Sequence, residues 1–449
     1  MWHGVPWEGT GTGGGRREGT GGGVVADRLR IALIGCGSHG AQRMAPAIRA
    51  TDGARLVAVA DLDLAAARAA ASNQAEIFET ASALVAAKIA DAAVIAVPHD
   101  ALAAVSRVCI EAGLPVLVEK PVARDRAELD PVVEAAQRRG VPLMPAYCQR
   151  FTAVRTQLHA LLARGIVGEV TAITGSKGGP PLVGWLADPA RSGGQLAYLG
   201  SHLVDQTLWL HRARVRSVFA RLTDRPDSGG DETTHLTLAF DDGVAATLLV
   251  TQATGVAFDT IEVTGRAGRA RSDWKAGTLS VQSSVSREFA APTTWHVQQD
   301  HFAPMYAAEV AEFVAAVQGG HEPSVSALDA LRVLAVLDAA RRSGAQGVAV
   351  DPDDPWDGTP RGVLARRAAR QPVRIQFTYP ADKIQSPFVY ELSRRFQLVF
   401  DIRRADIDAG IGWVQVQLEG ERSEIDAAIQ WAEAQGVHAS PVEGDVYTQ

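Results

Sequence analysis

Cysteine is scarce in this sequence of 449 residues, where only Cys36, Cys109 and Cys148 occur. Cysteines that are so few and so far apart, with no Cys-x-x-Cys pair, predict neither a disulfide framework nor a thiolate metal site. His211, His235, His296 and His301 show no metal-ligand spacing, and no metal is expected. This cysteine usage is typical of a reducing compartment, and we expect a cytoplasmic location.

Long apolar runs and an excess of basic charge are also missing. No uninterrupted apolar segment is long enough to span a bilayer, so no membrane partner is expected. The net charge is −7 at pH 7 and no long block of like charge occurs, which argues against a nucleic-acid partner. Residues 1–27 are rich in glycine and lack the apolar centre of a signal peptide, so we expect a disordered tail or an over-long start.

The stretch 31–61 carries the most informative pattern, because a short apolar run is followed by glycines and then by a helical pattern. Gly35 permits a tight turn, Gly37 lets the backbone approach a pyrophosphate, and Gly40 lets the helix pack close to the strand. The helix N-terminus adds N–H groups and the positive end of a dipole. The pattern predicts a dinucleotide site whose loop residues are Gly35, Gly37, Ser38, His39 and Gly40.

A second apolar strand ends in Asp61, about 20 residues after the glycines. An acidic residue at this position is the second part of the dinucleotide-binding sequence pattern. Its carboxylate can accept hydrogen bonds from ribose hydroxyls and would repel a 2′-phosphate. Leu62 and Asp63 follow, so no arginine is supplied there for such a phosphate. The pattern favours NAD over NADP. The alternative interpretation of Asp61 is an ordinary turn residue at a strand end.

The chain divides into four parts after its tail. Strand and helix patterns alternate through 28–148, which predicts an α/β fold with a doubly wound parallel sheet of the Rossmann type. Residues 149–351 carry successive strand patterns and two late amphipathic helices, typical of an α+β antiparallel-sheet domain with helices on one face. Residues 352–371 contain proline and arginine and are predicted to be a linker. Residues 372–449 follow the order βαββαβ of a small ferredoxin-like domain.

Two side chains occur where reactive groups are expected in such a fold. Lys120 comes just after a predicted strand, and ligands bind outside strand C-termini in doubly wound sheets. Its alternative interpretation is a surface lysine paired with Glu119. His202 shares a helix face with Tyr198 and Asp205 and could be a general base near neutral pH. A single helical histidine is more often a hydrogen-bonded core residue, so this alternative stays open.

Five short motifs follow one another within residues 29–351. They are Gly35–Gly40, Ala96–Pro98, Glu119–Pro121, Gln149–Phe151 and Ser192–Asp205. Together they resemble the Gfo/Idh/MocA oxidoreductase family, named for glucose–fructose oxidoreductase, inositol dehydrogenase and a rhizopine-catabolism protein. The resemblance implies an N-terminal NAD(P) domain, a C-terminal sheet domain that often builds an oligomer interface, and a site between the two. We therefore expect a homo-oligomer with a small-molecule substrate.

The resemblance also implies roles for individual residues. It places Lys120 beside the reacting carbon and makes His202 the usual base. It implies that Pro98, Glu119 and Lys120 contact the cofactor. Tyr198 stands where the family often has an aspartate, one turn before the histidine. A tyrosine can donate a hydrogen bond there, but at neutral pH it cannot orient a protonated histidine by charge.

Two further positions depart from the family pattern, since Leu102 replaces a frequent second histidine and Cys148 replaces a common asparagine. Two functions therefore stay open. The main hypothesis is an NAD-dependent dehydrogenase or reductase that moves hydride between nicotinamide and a secondary alcohol or carbonyl carbon of a sugar, inositol or related small polar substrate. Its catalytic residues would be Lys120, His202 and Tyr198. The alternative is a catalytically weak NAD-binding sensor.

The last part of the chain, 372–449, resembles a NIL domain, the small ferredoxin-like unit that follows the ATPase of methionine importers. This resemblance implies amino-acid sensing, with a sulfur amino acid as the expected partner. The alternative is that the domain pairs with its copy in a neighbouring subunit through edge strands. Under the main hypothesis, it is a regulatory domain appended to the oxidoreductase.

Overall fold

The computed structural model divides the chain into two compact units, with the boundary at Gly358. The structure describes residues 28–225, 230–297 and 303–356 of the first unit. Of the second unit it describes 373–380, 392, 395–396, 398–408, 411–419 and 422–441. The expected tail 1–27 and the later linker residues 357–371 lie outside the described residues. No helix in the described part of the chain is long and apolar enough to cross a membrane.

The first sheet consists of six parallel strands, and its central strands are buried on both faces. The strands are β1 (Leu29–Ile34), β2 (Ala54–Ala60), β3 (Glu76–Phe78), β4 (Ala92–Ile95), β5 (Val116–Glu119) and β6 (Leu143–Ala146). Their spatial order is β3-β2-β1-β4-β5-β6. Residues 31–34 are all buried, because helices on both sides of a parallel sheet leave no strand face in water. The predicted doubly wound Rossmann sheet is confirmed.

Helices follow these strands in turn along the chain. They are α1 (Ala45–Ala50), α2 (Leu64–Ala71), α3 (Ala81–Ala87), α4 (His99–Glu111) and α5 (Arg126–Arg139). A π-helical turn, Gly40–Met44, leads directly into α1. α4 begins right after Pro98, whose lack of an N–H suits a position before a helix. The helix starts therefore gather at the C-terminal edge of the sheet, where ligands bind in doubly wound folds.

Two glycines make the turn from β1 into the first helix possible. Gly35 has a φ of +93°, a conformation that other residues rarely adopt. A Cβ atom on Gly40 would lie 1.9 Å from the carbonyl oxygen of Gly35, so no larger residue fits there. The helical turn can therefore start close to the end of β1, in the position from which a helix N-terminus binds phosphate.

The second sheet has eight strands and forms the other half of the first unit. They are β7 (Val170–Gly178), β8 (Val215–Asp224), β9 (Asp231–Phe240), β10 (Ala245–Thr251), β11 (Phe258–Gly265), β12 (Gly268–Asp273), β13 (Thr278–Ser283) and β14 (Thr293–His296). Their order is β14-β13-β12-β11-β7-β10-β9-β8. The predicted antiparallel sheet is confirmed, with one exception, because β7 and β10 pair in parallel. The sequence pattern did not predict strands β12 to β14.

Helices of the second half pack on both this sheet and the first domain. They are α6 (Ala153–Ala163), α7 (Pro189–Ser192), α8 (Ser201–Leu210), α9 (Ala303–Gly319) and α10 (Ala327–Gln346). α10 packs on β8 and α8, as expected for a helix that covers the sheet. α9 packs mainly on α1 and on the 3-10 turn Cys148–Phe151, so the expectation that both helices cover the sheet fails for α9.

The first unit continues beyond the predicted start of the linker at residue 352. Asp354 is buried, and its carboxylate accepts hydrogen bonds from Arg332 at 2.9 and 3.0 Å and from the Val215 N–H at 2.8 Å. Trp356 is also buried, with the Arg332 guanidinium 4.6 Å from its ring centroid. Residues 351–356 are therefore a packed strap on the first unit rather than a linker.

The second unit contains a four-stranded antiparallel sheet. Its strands are β15 (Val373–Pro380), β16 (Val399–Asp408), β17 (Ile411–Glu419) and β18 (His438–Pro441), in the order β16-β17-β15-β18, and α11 spans Arg422–Ala434. Ile375, Phe377 and Val416 share a buried core with Leu392 and Ile425. The predicted helix at 388–395 lies outside the described residues, apart from positions 392 and 395. The ferredoxin-like strand order is confirmed.

The strap supports a stability prediction. Asp354→Ala leaves the buried Arg332 guanidinium without its carboxylate, and breaking a buried pair from one side typically costs about 3–5 kcal/mol. We expect the free energy of unfolding, measured with urea, to fall by that order. Asp353→Asn, at the exposed neighbouring position, is the matched control and should change it little. An Asp354→Ala protein as stable as the control would contradict the anchoring role of the strap.

Candidate active site

A cavity of about 1130 Å³ lies at the C-terminal ends of the parallel strands, within the first unit. The ends of β1, β2, β4 and β5 form one side. Strand β7, α8 and the π-helical turn Leu196–Gly200 form part of the other side. The predicted site residues that line it are Gly35, Gly37, Ser38, His39, Asp61, Pro98, Glu119, Lys120, Tyr198 and His202. Gly40 is not among the lining residues, because it packs against Gly35.

The glycine loop fits a dinucleotide. A Cβ atom at Gly37 would meet no atom within 4 Å, so the loop faces open space at that point of the cavity wall. The helical turn that begins at Gly40 follows at once. Open space beside a backbone loop and a helix start is the arrangement that receives a pyrophosphate.

Asp61 lies at the end of β2, with its carboxylate fixed by backbone donors. The oxygens accept the N–H of Cys36 at 2.6 Å and the N–H of Asp63 at 2.8 Å. A carboxylate has about four lone-pair directions, so acceptor capacity remains for ribose hydroxyls. The bond to Cys36 also ties the end of β2 to the glycine loop, so the expected pyrophosphate and ribose sites are adjacent.

Lys120 is buried, with only 8% of its surface exposed, which excludes the surface-lysine interpretation. Its Nζ donates to the backbone carbonyl of Tyr198 at 3.0 Å and lies 4.5 Å from the centre of that ring. Burial lowers the pKa of Lys120, and the neighbouring Glu119 carboxylate opposes this shift. The ammonium is therefore held at the cavity wall by one carbonyl and one aromatic face.

Glu119 links the glycine loop to this lysine. Its Oε1 is 2.6 Å from Nε2 of His39, and its Oε2 accepts the backbone N–H of Lys120 at 3.2 Å. The His39 ring in turn meets Tyr306 edge-on at 5.3 Å between centroids. Both predicted cofactor residues, Glu119 and His39, thus belong to one hydrogen-bonded group next to the expected phosphate site.

His202 lies on α8 and is 7% exposed. Its Nδ1 is buried and has no hydrogen-bond partner among the described residues. Burial, reinforced by the charge of Lys120, holds the pKa of His202 well below its usual value. The imidazole is therefore neutral at pH 7 and able to accept a proton.

Tyr198 precedes His202 in the π-helical turn that leads into α8. Burial raises the pKa of its hydroxyl, so the group stays protonated and can act as a donor. Asp205 was expected on the same helix face, but it does not line the cavity. It is buried in an ion pair with Arg150, at 3.0 and 3.1 Å from Nε. Tyr198 therefore places an uncharged hydrogen-bond donor at the position where the family often has an aspartate.

His99 was not predicted, although it lines the cavity beside Pro98. Its Nδ1 is 2.7 Å from the carbonyl oxygen of Ser192, which requires a proton on Nδ1 and leaves a lone pair on Nε2. Burial, helped by the charge of Lys120, lowers the pKa of His99 to about 4. Its contact lies 93 positions away in the sequence, so no local pattern could have identified this fixed tautomer.

The fold and the site define a nucleotide-dependent oxidoreductase, and comparisons with known proteins agree. Residues 29–147 match the oxidoreductase family with an NAD-binding Rossmann fold, and 156–271 match the GFO/IDH/MocA C-terminal domain. Residues 373–440 match the NIL domain. The chain belongs to the Gfo/Idh/MocA family of NAD(P)-dependent oxidoreductases and carries a C-terminal NIL domain. Its cofactor is NAD.

The alignments with individual relatives extend over nearly the whole length of each relative. An inositol 2-dehydrogenase of Rhizobium meliloti strain 1021 is 28% identical over 326 residues, 71% of this chain and 97% of the relative. A D-xylose 1-dehydrogenase (NADP(+)) of Haloferax volcanii is 27% identical over 340 residues, 72% and 100% of the two chains. The crystal structure of a candidate myo-inositol dehydrogenase from Sinorhizobium meliloti 1021 is 26% identical, with a TM-score of 0.63, covering 72% and 99%.

The position of Asp61 predicts the cofactor preference. Asp61→Asn removes the charge that repels a 2′-phosphate, so the ratio of NAD to NADP affinity should narrow by about tenfold, which corresponds to about 1.4 kcal/mol. Calorimetric titration with both cofactors measures this. Asp63→Asn is the control, because Asp63 caps α2 and does not line the cavity. Equal or tighter NADP binding by the unaltered protein would contradict the assignment.

Proposed function

We propose that this enzyme moves hydride between NAD and a secondary alcohol or carbonyl carbon of a small polyhydroxylated substrate. The observation that supports this proposal most directly is that the glycine loop, Lys120 and His202 line one cavity. NAD, when bound, supplies the hydride acceptor or donor. Support for a sugar-like or inositol-like substrate comes from the names of the relatives, one an inositol dehydrogenase and another a xylose dehydrogenase.

In this proposal His202 takes the proton of the substrate hydroxyl. Its imidazole is neutral, because burial keeps its pKa low, and a neutral imidazole is the form that acts as a general base. Lys120 stabilises the negative charge that develops on the substrate oxygen. A buried ammonium is effective there, since charge interactions are stronger where water is excluded. Tyr198 donates a hydrogen bond to the same oxygen or to a neighbouring hydroxyl.

A second candidate function is a catalytically weak NAD-binding sensor. The observation that favours it is the uncharged Tyr198 near His202, together with the unpaired Nδ1 of that histidine. Carboxylate partners normally orient a catalytic histidine and stabilise its protonated form. Without one, the binding of NAD could persist while turnover is low.

Substitutions at the two proposed catalytic residues separate these functions. His202→Asn should lower kcat by about 10²-fold or more, because it removes the general base, and Lys120→Met should lower it by a similar factor, because it removes the charge that stabilises the developing oxyanion. NAD affinity, measured by calorimetry, should change far less. Lys88→Met, at the exposed C-cap position of α3, is the matched control. Unchanged turnover in both variants would favour the sensor.

We further propose that the NIL domain senses a small amino acid, methionine-like by preference, in a cytoplasmic homo-oligomer. The domain has a core of its own, in which Phe377 and Leu418 are fully buried, so it is a separate compact unit that can respond to a ligand. The competing role is assembly, in which β16 or β18, the edge strands of its sheet, pair with another subunit.

Thermal unfolding of the full chain tests the sensing role. Methionine should raise the Tm of the second unit, because a ligand at about 100 times its Kd adds about 2.7 kcal/mol to the stability of the state that binds it. Leucine is the control for a side chain of similar size, and a chain ending at residue 356 should not respond. A dimer or larger oligomer that is indifferent to methionine and homocysteine would make the domain an assembly unit.

A further inference from the structure

His99 occupies the first position of α4 and lies in the cavity wall beside two aromatic rings. Its ring meets Trp185 edge-on, with 4.9 Å between the ring centres, and lies 6.2 Å from the ring centre of Tyr198. All three residues line the cavity. The Nζ atom of Lys120 lies 4.5 Å from the centre of the same Tyr198 ring. His99 and the proposed catalytic lysine are therefore neighbours of one aromatic side chain.

A buried carbonyl fixes the orientation of the His99 ring. Nδ1 donates to the carbonyl oxygen of Ser192 at 2.7 Å. Ser192 is fully buried at the end of α7, and its own hydroxyl donates to the Asp188 carbonyl at 2.9 Å. A second bond between α4 and α7 runs from Nε of Arg191 to the Asp100 carboxylate at 2.7 Å. The imidazole is therefore held in one orientation and one tautomer before a ligand binds.

The other nitrogen of this ring, Nε2, is an acceptor that the described residues leave unused. It has no hydrogen-bond partner among them. It is also not one of the fully buried atoms without a partner in that part of the chain, which include Nδ1 of His202. Since the His99 ring lines the cavity, the lone pair on Nε2 is open to a ligand there. Burial keeps the pKa of His99 low, so this lone pair is not protonated at pH 7.

Two other polar residues that line the cavity have the opposite character. The ammonium group of Lys120 can only donate hydrogen bonds. Oε1 of Gln149 already accepts from Nζ of Lys177 at 3.1 Å and from Nε2 of Gln206 at 2.6 Å. Both lone pairs of that oxygen are engaged, so the Gln149 amide offers N–H groups to a ligand. His99 differs from Lys120 and Gln149, because in its neutral, fixed tautomer it can only accept from a ligand.

We infer that Nε2 of His99 accepts a hydrogen bond from a substrate hydroxyl that does not react, and that His99 thereby determines which polyols the enzyme uses. This inference rests on the proposed hydride transfer, in which a different hydroxyl of the substrate gives its proton to His202. No bond forms or breaks at His99, and no proton is transferred there. A ligand group that fills this place without donating leaves a buried acceptor unpaired, which lowers its affinity.

A hydroxyl suits this nitrogen better than other substituents of a sugar-like molecule. Carboxylates, ethers and fluorine have no hydrogen to donate, so their lone pairs would face the lone pair of Nε2. An ammonium group can donate, but the positive charge of Lys120 already acts on His99 and disfavours a second cation there. The neutral hydroxyl is the donor that remains in a polyol.

The nicotinamide ribose of NAD also carries hydroxyls, but the surroundings of His99 favour the substrate. The bond that orients its ring comes from α7, and the ring packs on Trp185, so both contacts belong to the second half of the unit. The cofactor contacts expected at the glycine loop and at Asp61 belong to the first sheet. His99 thus places an acceptor on the side of the cavity where the substrate is expected.

Fluorinated substrates test the inference on the full chain with NAD. Whichever of D-glucose, D-xylose and myo-inositol gives the highest kcat/KM serves as the parent, and each of its hydroxyls is replaced in turn by fluorine, which cannot donate. At one position other than the reacting carbon, the unaltered protein should prefer the parent by about 10- to 100-fold, the factor expected when a buried acceptor loses its donor. Equal use of the parent and of every such analogue would overturn the inference.

His99→Asn identifies the group responsible, because asparagine can still donate to the Ser192 carbonyl but has no atom at the place of Nε2. The preference at that one position should disappear, and comparing the two proteins removes the effect of fluorine on the reactivity of the carbon. KM for the parent should rise while kcat changes little, since the contact exists in the bound substrate and in the transition state alike. A fall in kcat at constant KM would mean that His99 handles the reacting proton and would overturn the inference.

Two further variants guard against an indirect effect. His99→Phe keeps a ring beside Trp185 and should also lose the preference, so the test does not depend on one folded variant. Asp100→Asn is the matched control, because it weakens the bond to Arg191 between α4 and α7 and does not line the cavity. It should keep the preference of the unaltered protein. The same loss in Asp100→Asn would show that the position of α7 decides and would contradict direct recognition by His99.

Calorimetry with NAD separates the two sources of a hydroxyl. An NAD affinity of His99→Asn within about twofold of the unaltered protein supports recognition of the substrate. A loss of NAD affinity of about tenfold, with an unchanged pattern across the fluorinated series, would assign His99 to the nicotinamide ribose and overturn the inference.

Binding without turnover separates this inference from the proposed function. If no polyol is oxidised, the hydride-transfer proposal fails, and the same parents and analogues are titrated into the NAD-loaded protein by calorimetry. Tighter binding of a parent than of one analogue, lost in His99→Asn, supports hydroxyl recognition by His99. Binding of none of the parents overturns the inference together with the proposed function.

Discussion

Removing a lysine ammonium from water costs several kcal/mol unless other groups replace its hydration, and Lys120 meets this constraint at the C-terminal end of β5. One carbonyl and one aromatic face of Tyr198 take part, and Glu119 supplies the nearby negative charge. Because Glu119 also binds His39, the lysine is coupled to the glycine loop. The contacts that stabilise this one buried charge therefore connect the expected cofactor site to the helical turn that leads into α8, the helix that carries His202.

The second sheet adds its own charges to the same cavity. Asp259 on β11 forms ion pairs with Lys177 of β7 and Arg155 of α6. These buried ion pairs fix the relative positions of the three elements more specifically than apolar packing alone would. The first sheet contributes backbone geometry and a fixed carboxylate at Asp61. The second contributes cations, amides and an aromatic ring. This division explains how one fold can keep its cofactor site while its substrate side varies.

The parts of the fold that depend on local sequence were predictable. Continuous apolar strands and the glycines at 35, 37 and 40 identify the Rossmann sheet, because backbone conformation and burial act there over a few residues. Lys177 could not be predicted as a cavity residue, since its partner Asp259 is 82 positions away. The strands β12 and β14 contain few apolar residues, and the alternating pattern of β13 extends over only six residues, so these strands gave little signal. Residues 352–356 look like part of a linker in the sequence, but Arg332 on the preceding helix α10 anchors them through Asp354.

The most direct test of the account is a crystal structure of this protein with NAD bound. The account predicts the pyrophosphate at the Gly35–Gly40 loop, the adenosine ribose at Asp61, and the nicotinamide ring beside Lys120 and His202. It also predicts space for a substrate carbon about 3–3.5 Å from nicotinamide C4, on the side of these two residues. A nicotinamide ring that lies away from Lys120, or one whose reacting face is closed by Tyr198, would contradict the account.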